Sequence, residues 1–97
     1  MKKLGLLVTL KAKAGKELEL LNFLNEAGNL ARREEKTITW YSFRIDHSTF
    51  GIFDTFENET GREAHLQGSI ASGIMGLAAD LLLEAPKIEK VDILSAV

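Results

Sequence analysis

The sequence of 97 residues contains no cysteine, and only one proline, one tryptophan and one tyrosine. Without cysteine the chain has no disulfide, no thiolate nucleophile and no cysteine-ligated metal site. Its net charge of −2 lacks the basic excess that nucleic-acid-binding proteins carry. No apolar run approaches the ~20 residues of a transmembrane helix. We expect a single soluble domain over residues 1–97, located in the cytoplasm, with no nucleic-acid or membrane partner.

Motifs for bound cofactors are also missing. The sequence has no phosphate-binding loop and no glycine-rich dinucleotide fingerprint. His47 and His65 lie on different predicted elements and the carboxylates are scattered, so no convincing metal site is formed. No serine lies in a nucleophile-elbow context. We therefore expect neither a cofactor nor a metal.

The periodicity of apolar residues predicts the element order β-α-β-β-α-β. A helix is expected from Lys16, and a second helical region follows Thr60 and Glu63, which have the spacing of a capping box. Gly68 and Ser69 interrupt that second region. The order is that of the ferredoxin-like α+β fold, a four-stranded antiparallel sheet with its helices on one face. The predicted strands are residues 4–12, 37–46, 49–56 and 87–96, the first preceded by an exposed basic end.

The second and third predicted strands form a hairpin that contains most of the aromatic residues. A two-residue loop, His47-Ser48, predicts that Tyr41 lies directly opposite Asp54. Either face of this hairpin is rich in apolar or aromatic side chains, whereas the helices cover only one face of the sheet. An open apolar face of that size indicates a partner surface. We expect a homodimer that packs sheet against sheet, with Arg44 at its interface rather than on an anionic substrate.

Three groups of residues are candidates for chemistry, and each has a plainer structural explanation. His65, near the start of a helix, suits proton transfer near neutral pH, or is simply partly exposed or hydrogen-bonded to backbone. Asp54 within an aromatic strand either orients a phenol or quinol hydroxyl together with Tyr41, or makes one structural hydrogen bond. The aromatic residues form either core or the walls of a pocket for a flat ligand. The candidate walls are Trp40, Phe43 and Phe56.

The run from Phe53 to Leu66, with Asp54, Phe56 and His65 at its marked positions, resembles the antibiotic biosynthesis monooxygenase-like family. The segment Gly61–Gly68 and the ending from Ala85 strengthen the resemblance, which covers nearly the whole chain. It implies a dimeric α+β barrel. Some members oxidise phenols or quinols with molecular oxygen and no cofactor. The haem-degrading relatives differ, because their Trp and His positions are occupied here by His65 and Met75.

The leading hypothesis is therefore a cofactor-independent monooxygenase that acts on a quinol or polyphenol-like aromatic. In it His65 transfers protons, Asp54 and Tyr41 orient the substrate, and the aromatic walls enclose it. The alternative is a non-catalytic dimeric protein, for binding or stress response, that holds a hydrophobic ligand. We expect the mixed-charge run Arg32–Lys36 to be a solvated helix end without a binding role.

Overall fold

The computed structural model describes residues 3–97 and confirms the ferredoxin-like α+β fold, with the second helical region divided in two at Gln67-Gly68. The predicted basic end lies partly outside the described residues. Within residues 3–97, no helix has the length and apolar character needed to cross a membrane. The elements are β1 (Leu4–Lys11), α1 (Glu17–Ala31), β2 (Thr37–Arg44), β3 (Thr49–Phe56), α2 (Glu59–Leu66), α3 (Ser69–Leu81) and β4 (Lys87–Asp92).

The four strands form one antiparallel sheet in the order β2-β3-β1-β4. Because side chains alternate along a strand, the even-numbered residues of β1 and β3 point to the same face. That face packs against α1 and α3 and carries the hydrophobic core. The core includes Leu6, Val8, Leu10, Phe50 and Ile52 from the sheet, and Leu20, Leu24, Ala27, Ile70 and Ile74 from the helices.

The predicted register of the β2–β3 hairpin is wrong by one residue. Trp40 lies opposite Asp54, and Tyr41 lies opposite Phe53. The backbone N–H of Ile45 donates to the carbonyl of Thr49, so these two residues continue the pairing beyond the end of β2 and the loop has three residues, 46–48, rather than two. A loop of odd length exchanges the faces of one strand relative to the other.

Asp46 explains the odd loop length. Its Oδ1 accepts hydrogen bonds from the backbone N–H groups of Ser48 at 3.1 Å and Thr49 at 2.8 Å. An aspartate that bonds to the backbone two and three residues ahead forms its own turn. The side chain of Arg44 adds bonds to the carbonyls of Asp46 and His47. These contacts fix the loop, and with it the register of β2 on β3.

The start of α2 also differs from the prediction. Asn58, not Thr60, is the N-cap, and its Oδ1 accepts from the backbone N–H of Gly61 at 3.1 Å. Arg62 then anchors the helix to the sheet. Its guanidinium donates to the carbonyls of Gly5 and Val91 and to the carboxylate of Glu59. These bonds hold α2 over β1 and β4.

No helix of the described residues covers the second face of the sheet. Tyr41 is 56% exposed and Phe43 38% exposed on this face, with Phe53 partly exposed beside them. The ring of Phe43 lies over Gly51, where a Cβ would collide with it. The open face therefore carries the aromatic residues of odd number, and the helix-covered face carries Asp54.

Candidate functional site

His65 lies at the centre of a buried ionic cluster. It is 8% exposed and belongs to the last turn of α2. Its Nδ1 is 2.6 Å from Oε1 of Glu34, and its Nε2 is 2.7 Å from Oδ2 of Asp54. One imidazole ring thus contacts two carboxylates through its two nitrogens.

Asp54 is the more deeply buried of the two carboxylates. It is 1% exposed and lies in the middle of β3, between Leu6 of β1 and Trp40 of β2. Its contact with His65 has the distance of an ion pair but not the direction of a hydrogen bond. Neither oxygen of Asp54 receives a hydrogen bond from the described residues. A buried carboxylate in this state has unused capacity to accept a proton or a hydroxyl group.

Glu34 is the member of the cluster that the sequence did not reveal. It lies in the turn between α1 and β2, and its side chain is 23% exposed. Its Oε1 also accepts from the Thr37 hydroxyl at 2.8 Å. The expectation of a solvated helix end is therefore wrong at Glu34. Nothing in a mixed-charge run marks one residue as the partner of a histidine 31 positions away.

The cluster favours the charged form of His65. Burial acts to lower the pKa of His65, but the contact with the Asp54 carboxylate and then the bond to Glu34 outweigh it, so the pKa is raised. Two carboxylates and one imidazole form the cluster, so its acceptor groups outnumber its one potential cation, and it has the capacity to hold a further proton.

An apolar cavity of about 190 Å³ lies between the sheet and helices α2 and α3. His65 is the sole ionisable side chain among the described residues that line it. Most of the other walls are aliphatic, so a ligand would meet the imidazole in a poorly hydrated setting. These walls include Leu6, Val8, Ile52, Leu66, Ile74 and Ile88.

A second, outer cleft of about 270 Å³ meets His65 from another side. Glu34, Glu35, Lys36 and Thr37 contribute to its lining, so it is charged and polar where the first cavity is apolar. His65 thus separates an apolar cavity from a charged cleft.

The other sequence-predicted site residues are not gathered with His65 and Asp54. Tyr41 is on the open face of the sheet, so the predicted Tyr41–Asp54 pair is not formed. Phe43 lies on the same open face over Gly51. Within this chain, neither residue lines the cavity beside His65.

Phe56 and Trp40 are on the helix-covered side. Phe56 is fully buried, and its ring centroid is 5.3 Å from that of His65. It supports the imidazole but presents no surface to a ligand. Trp40 packs over Gly28 of α1, and its Nε1 is buried without an acceptor among the described residues. It borders a wide groove of about 530 Å³ beside α1, not the cavity next to His65.

Metal binding has no structural support in the described part of the chain. Among residues 3–97, no group of three or more histidine or carboxylate side chains is arranged to hold a metal ion. The contacts of His65 also occupy both of its nitrogens with carboxylates. An imidazole between two carboxylates is suited to proton transfer and to stabilisation of charge.

Solved structures resemble this chain over its whole length, although no protein-family model and no functionally curated protein matches it. Protein NE2512 of Nitrosomonas europaea, of unknown function, is 48% identical, with a TM-score of 0.97 over 100% of this chain and 94% of that chain. A Bacteroides thetaiotaomicron protein described as a possible oxidoreductase is 19% identical, with a TM-score of 0.80 over 95% and 98% of the two chains. An antibiotic biosynthesis monooxygenase is 13% identical, with a TM-score of 0.82 over 95% and 99%. At these lower identities the likeness shows a shared fold.

Proposed function

This chain belongs to the family of NE2512 and has the antibiotic biosynthesis monooxygenase-like fold, and we propose that it is a cofactor-independent monooxygenase of small quinols or related phenols. The observation that carries the proposal is the contact of His65 with two carboxylates at the wall of an apolar cavity. The names of the fold relatives agree with it. A fold alone does not fix a reaction, so the site has to carry the argument.

The proposed reaction uses the substrate as its own reductant. A quinol and one molecule of oxygen give a hydroxyquinone and one molecule of water. One oxygen atom enters the ring, the other leaves as water, and all four electrons come from the quinol. The reaction therefore needs no external reductant, and the protein has to manage protons and exclude water.

His65 and Asp54 have complementary roles in this reaction. The charged imidazole of His65 first passes its Nε2 proton to Asp54, which has no hydrogen-bond donor of its own and holds that proton within the cluster. His65 lines the cavity, so the neutral ring is then the group that accepts the proton of the substrate hydroxyl. The resulting substrate anion reacts with oxygen, and the stored proton returns when water is formed. Desolvation in the apolar cavity strengthens each of these electrostatic contacts.

The size of the cavity restricts the substrate class. Its volume of about 190 Å³ is below the roughly 300–1,000 Å³ typical of pockets for drug-sized ligands. A quinol of one or two rings is therefore a better candidate than a large polycyclic substrate.

We also propose that two copies of the chain pack through their open sheet faces. The exposure of Tyr41 and Phe43 beside Phe53 supports this, since an apolar patch of this kind is typical of an interaction surface. In such a dimer Tyr41 and Phe43 would be interface residues instead of substrate contacts. The cytoplasmic location expected from the sequence is likewise a proposal, which cell fractionation would test.

Oxygen consumption with a panel of one- and two-ring quinols is the test of the proposed reaction. We expect quinol loss that requires both protein and oxygen, and a product with one atom of ¹⁸O from labelled oxygen. His65→Gln should reduce the rate by about 10²–10⁴-fold, the usual contribution of a proton-transfer group. His47→Gln is the matched control, because the His47 side chain is 82% exposed on the hairpin loop.

Two results would count against the proposal. One is equal loss of quinol with and without the protein. The other is a His65→Gln protein that is folded, as judged by circular dichroism, and as active as His47→Gln. Tight quinol binding without oxygen consumption would instead favour the non-catalytic ligand-binding role.

A further inference from the structure

We propose that Glu34 is the residue through which His65 exchanges its proton with solvent, so that Asp54, His65 and Glu34 form a relay between the apolar cavity and the outer cleft. The part of this relay in turnover rests on the proposed function, whereas the contacts between its three residues are observed in the chain itself.

The two carboxylates differ in their access to solvent. Asp54 is 1% exposed and is enclosed by the strands on either side of it. Glu34 has a side chain that is 23% exposed and lies in a turn at the surface. A proton held by Asp54 therefore has no direct route outwards. A proton on Glu34 has one.

His65 is placed to connect the two. The ring lines both the apolar cavity and the outer cleft. An imidazole is able to accept a proton at one nitrogen and release one from the other without leaving its position. Nδ1 of His65 is 2.6 Å from Oε1 of Glu34, so the proton released from this nitrogen passes to Glu34. The Thr37 hydroxyl, bonded to the same Glu34 oxygen, keeps that carboxylate turned towards the ring.

Other charged groups near His65 belong to the outer cleft or to its own helix. Glu35 and Lys36 line the cleft from the turn that carries Glu34, and both are exposed. On α2, Glu63 pairs with Lys90 of β4, and Arg62 pairs with Glu59. None of these contacts the imidazole in the way that Glu34 does. Glu35 is therefore a matched control for Glu34, with the same chemistry in the same cleft.

The first measurement needs no substrate. The ¹⁵N resonances of the His65 ring are followed by NMR as the pH is changed, in wild type, Glu34→Gln and Glu35→Gln. We expect Glu34→Gln to lower the pKa of His65, because an anion next to the ring is lost, and Glu35→Gln to leave it unchanged. An unchanged His65 pKa in Glu34→Gln would overturn the proposal.

The second measurement uses quinol turnover. We expect Glu34→Gln to reduce the turnover rate by about 10²-fold, the lower end of the usual contribution of a proton-transfer group, with KM little changed. In Glu34→Ala, added formate should restore part of the rate, because a small carboxylate fits the cleft of about 270 Å³. Formate should have no effect on wild type or Glu35→Ala.

The two measurements separate the two proposals. If wild type turns over quinol and Glu34→Gln does so at the same rate, the relay is wrong and the proposed function stands. If wild type turns over none of the quinols, the proposed function is wrong, and the NMR titration still decides whether Glu34 controls the protonation of His65. A Glu34→Ala protein that formate does not rescue indicates a structural role for Glu34 and counts against the relay.

Discussion

Trp40 of β2 lies directly opposite Asp54 of β3, and both are on the face of the sheet that the helices cover. The next residue, Tyr41, lies opposite Phe53 on the open face. A shift of one residue in strand pairing would exchange these environments. The register therefore places Trp40 in the packing against α1 and the neighbouring Tyr41 on the open face.

The first prediction concerns that open face. We expect Tyr41→Glu to convert a dimer into a monomer, because it places a charge in the apolar surface proposed for the contact between subunits. Sedimentation velocity at micromolar concentration measures the change. The NMR signals of the His65 ring should not move, since Tyr41 is on the other side of the sheet.

Leu18→Glu is the control for that experiment. Leu18 is 69% exposed on α1, away from the open face, so the same kind of substitution there should leave the dimer intact. Wild-type protein that sediments as a monomer would contradict the prediction, as would a Tyr41→Glu dimer as stable as that of wild type.

Much of the fold was predictable because it depends on local patterns. The bounds of β3, residues 49–56, agree with the sequence prediction, and the other elements differ by a few residues at their ends. The errors arose where one polar side chain decides the geometry. Asp46 makes the loop odd, and Asn58 caps α2 in place of Thr60. Both residues act through short-range hydrogen bonds from nearby backbone N–H groups to one side-chain oxygen. A neighbouring residue of similar type is able to accept the same kind of bond, so the sequence alone does not single out the one that does.

The candidate site was predictable only in part. His65 and Asp54 were predictable as candidates because a histidine and a carboxylate lie within or next to an aromatic strand. Glu34 was not predictable, because its role depends on the long-range contact between the turn after α1 and helix α2. Tyr41 was misplaced by the register error.

The second prediction tests the cavity beside His65. Ala71→Leu should fill part of its volume of about 190 Å³ and weaken the binding of a one- or two-ring phenol, because Ala71 is among the lining residues. Isothermal calorimetry measures the affinity. Ala79→Leu, a matched change at an exposed position of the same helix, should bind as wild type does. Equal affinities in the two variants would show that the phenol binds elsewhere.

The third prediction separates the observed cap of α2 from the one expected from the sequence. Asn58→Ala should lower the free energy of unfolding by about 1 kcal/mol, the usual cost of losing an N-cap side chain. Thr60→Ala, at an exposed position inside the helix, should change it by less than about 0.5 kcal/mol. Urea denaturation of both variants makes the comparison. A larger loss for Thr60→Ala than for Asn58→Ala would contradict the observed cap.

The fourth prediction follows from the raised pKa of His65. Its two carboxylate partners stabilise the charged ring in the folded protein more than in the unfolded chain. A group whose folded pKa is raised contributes stability that is fully present below its unfolded pKa of about 6.5, and that is lost as pH rises through the folded pKa. We therefore expect the free energy of unfolding to fall as the pH rises above about 6.5 and through the raised folded pKa of His65.

Urea denaturation at a series of pH values measures this fall, and two variants assign it. His47→Gln should retain it, because His47 is exposed on the hairpin loop. His65→Gln should be less stable at the lower pH, since Asp54 is then buried without a cation beside it, and should lose the His65-dependent fall. Asp54→Asn should weaken the fall, because one of the two anions that raise the His65 pKa is removed. If His65→Gln showed the same fall as wild type, the pH dependence of stability would have to come from another group. The conclusion that His65 is a buried, charged imidazole would then be wrong.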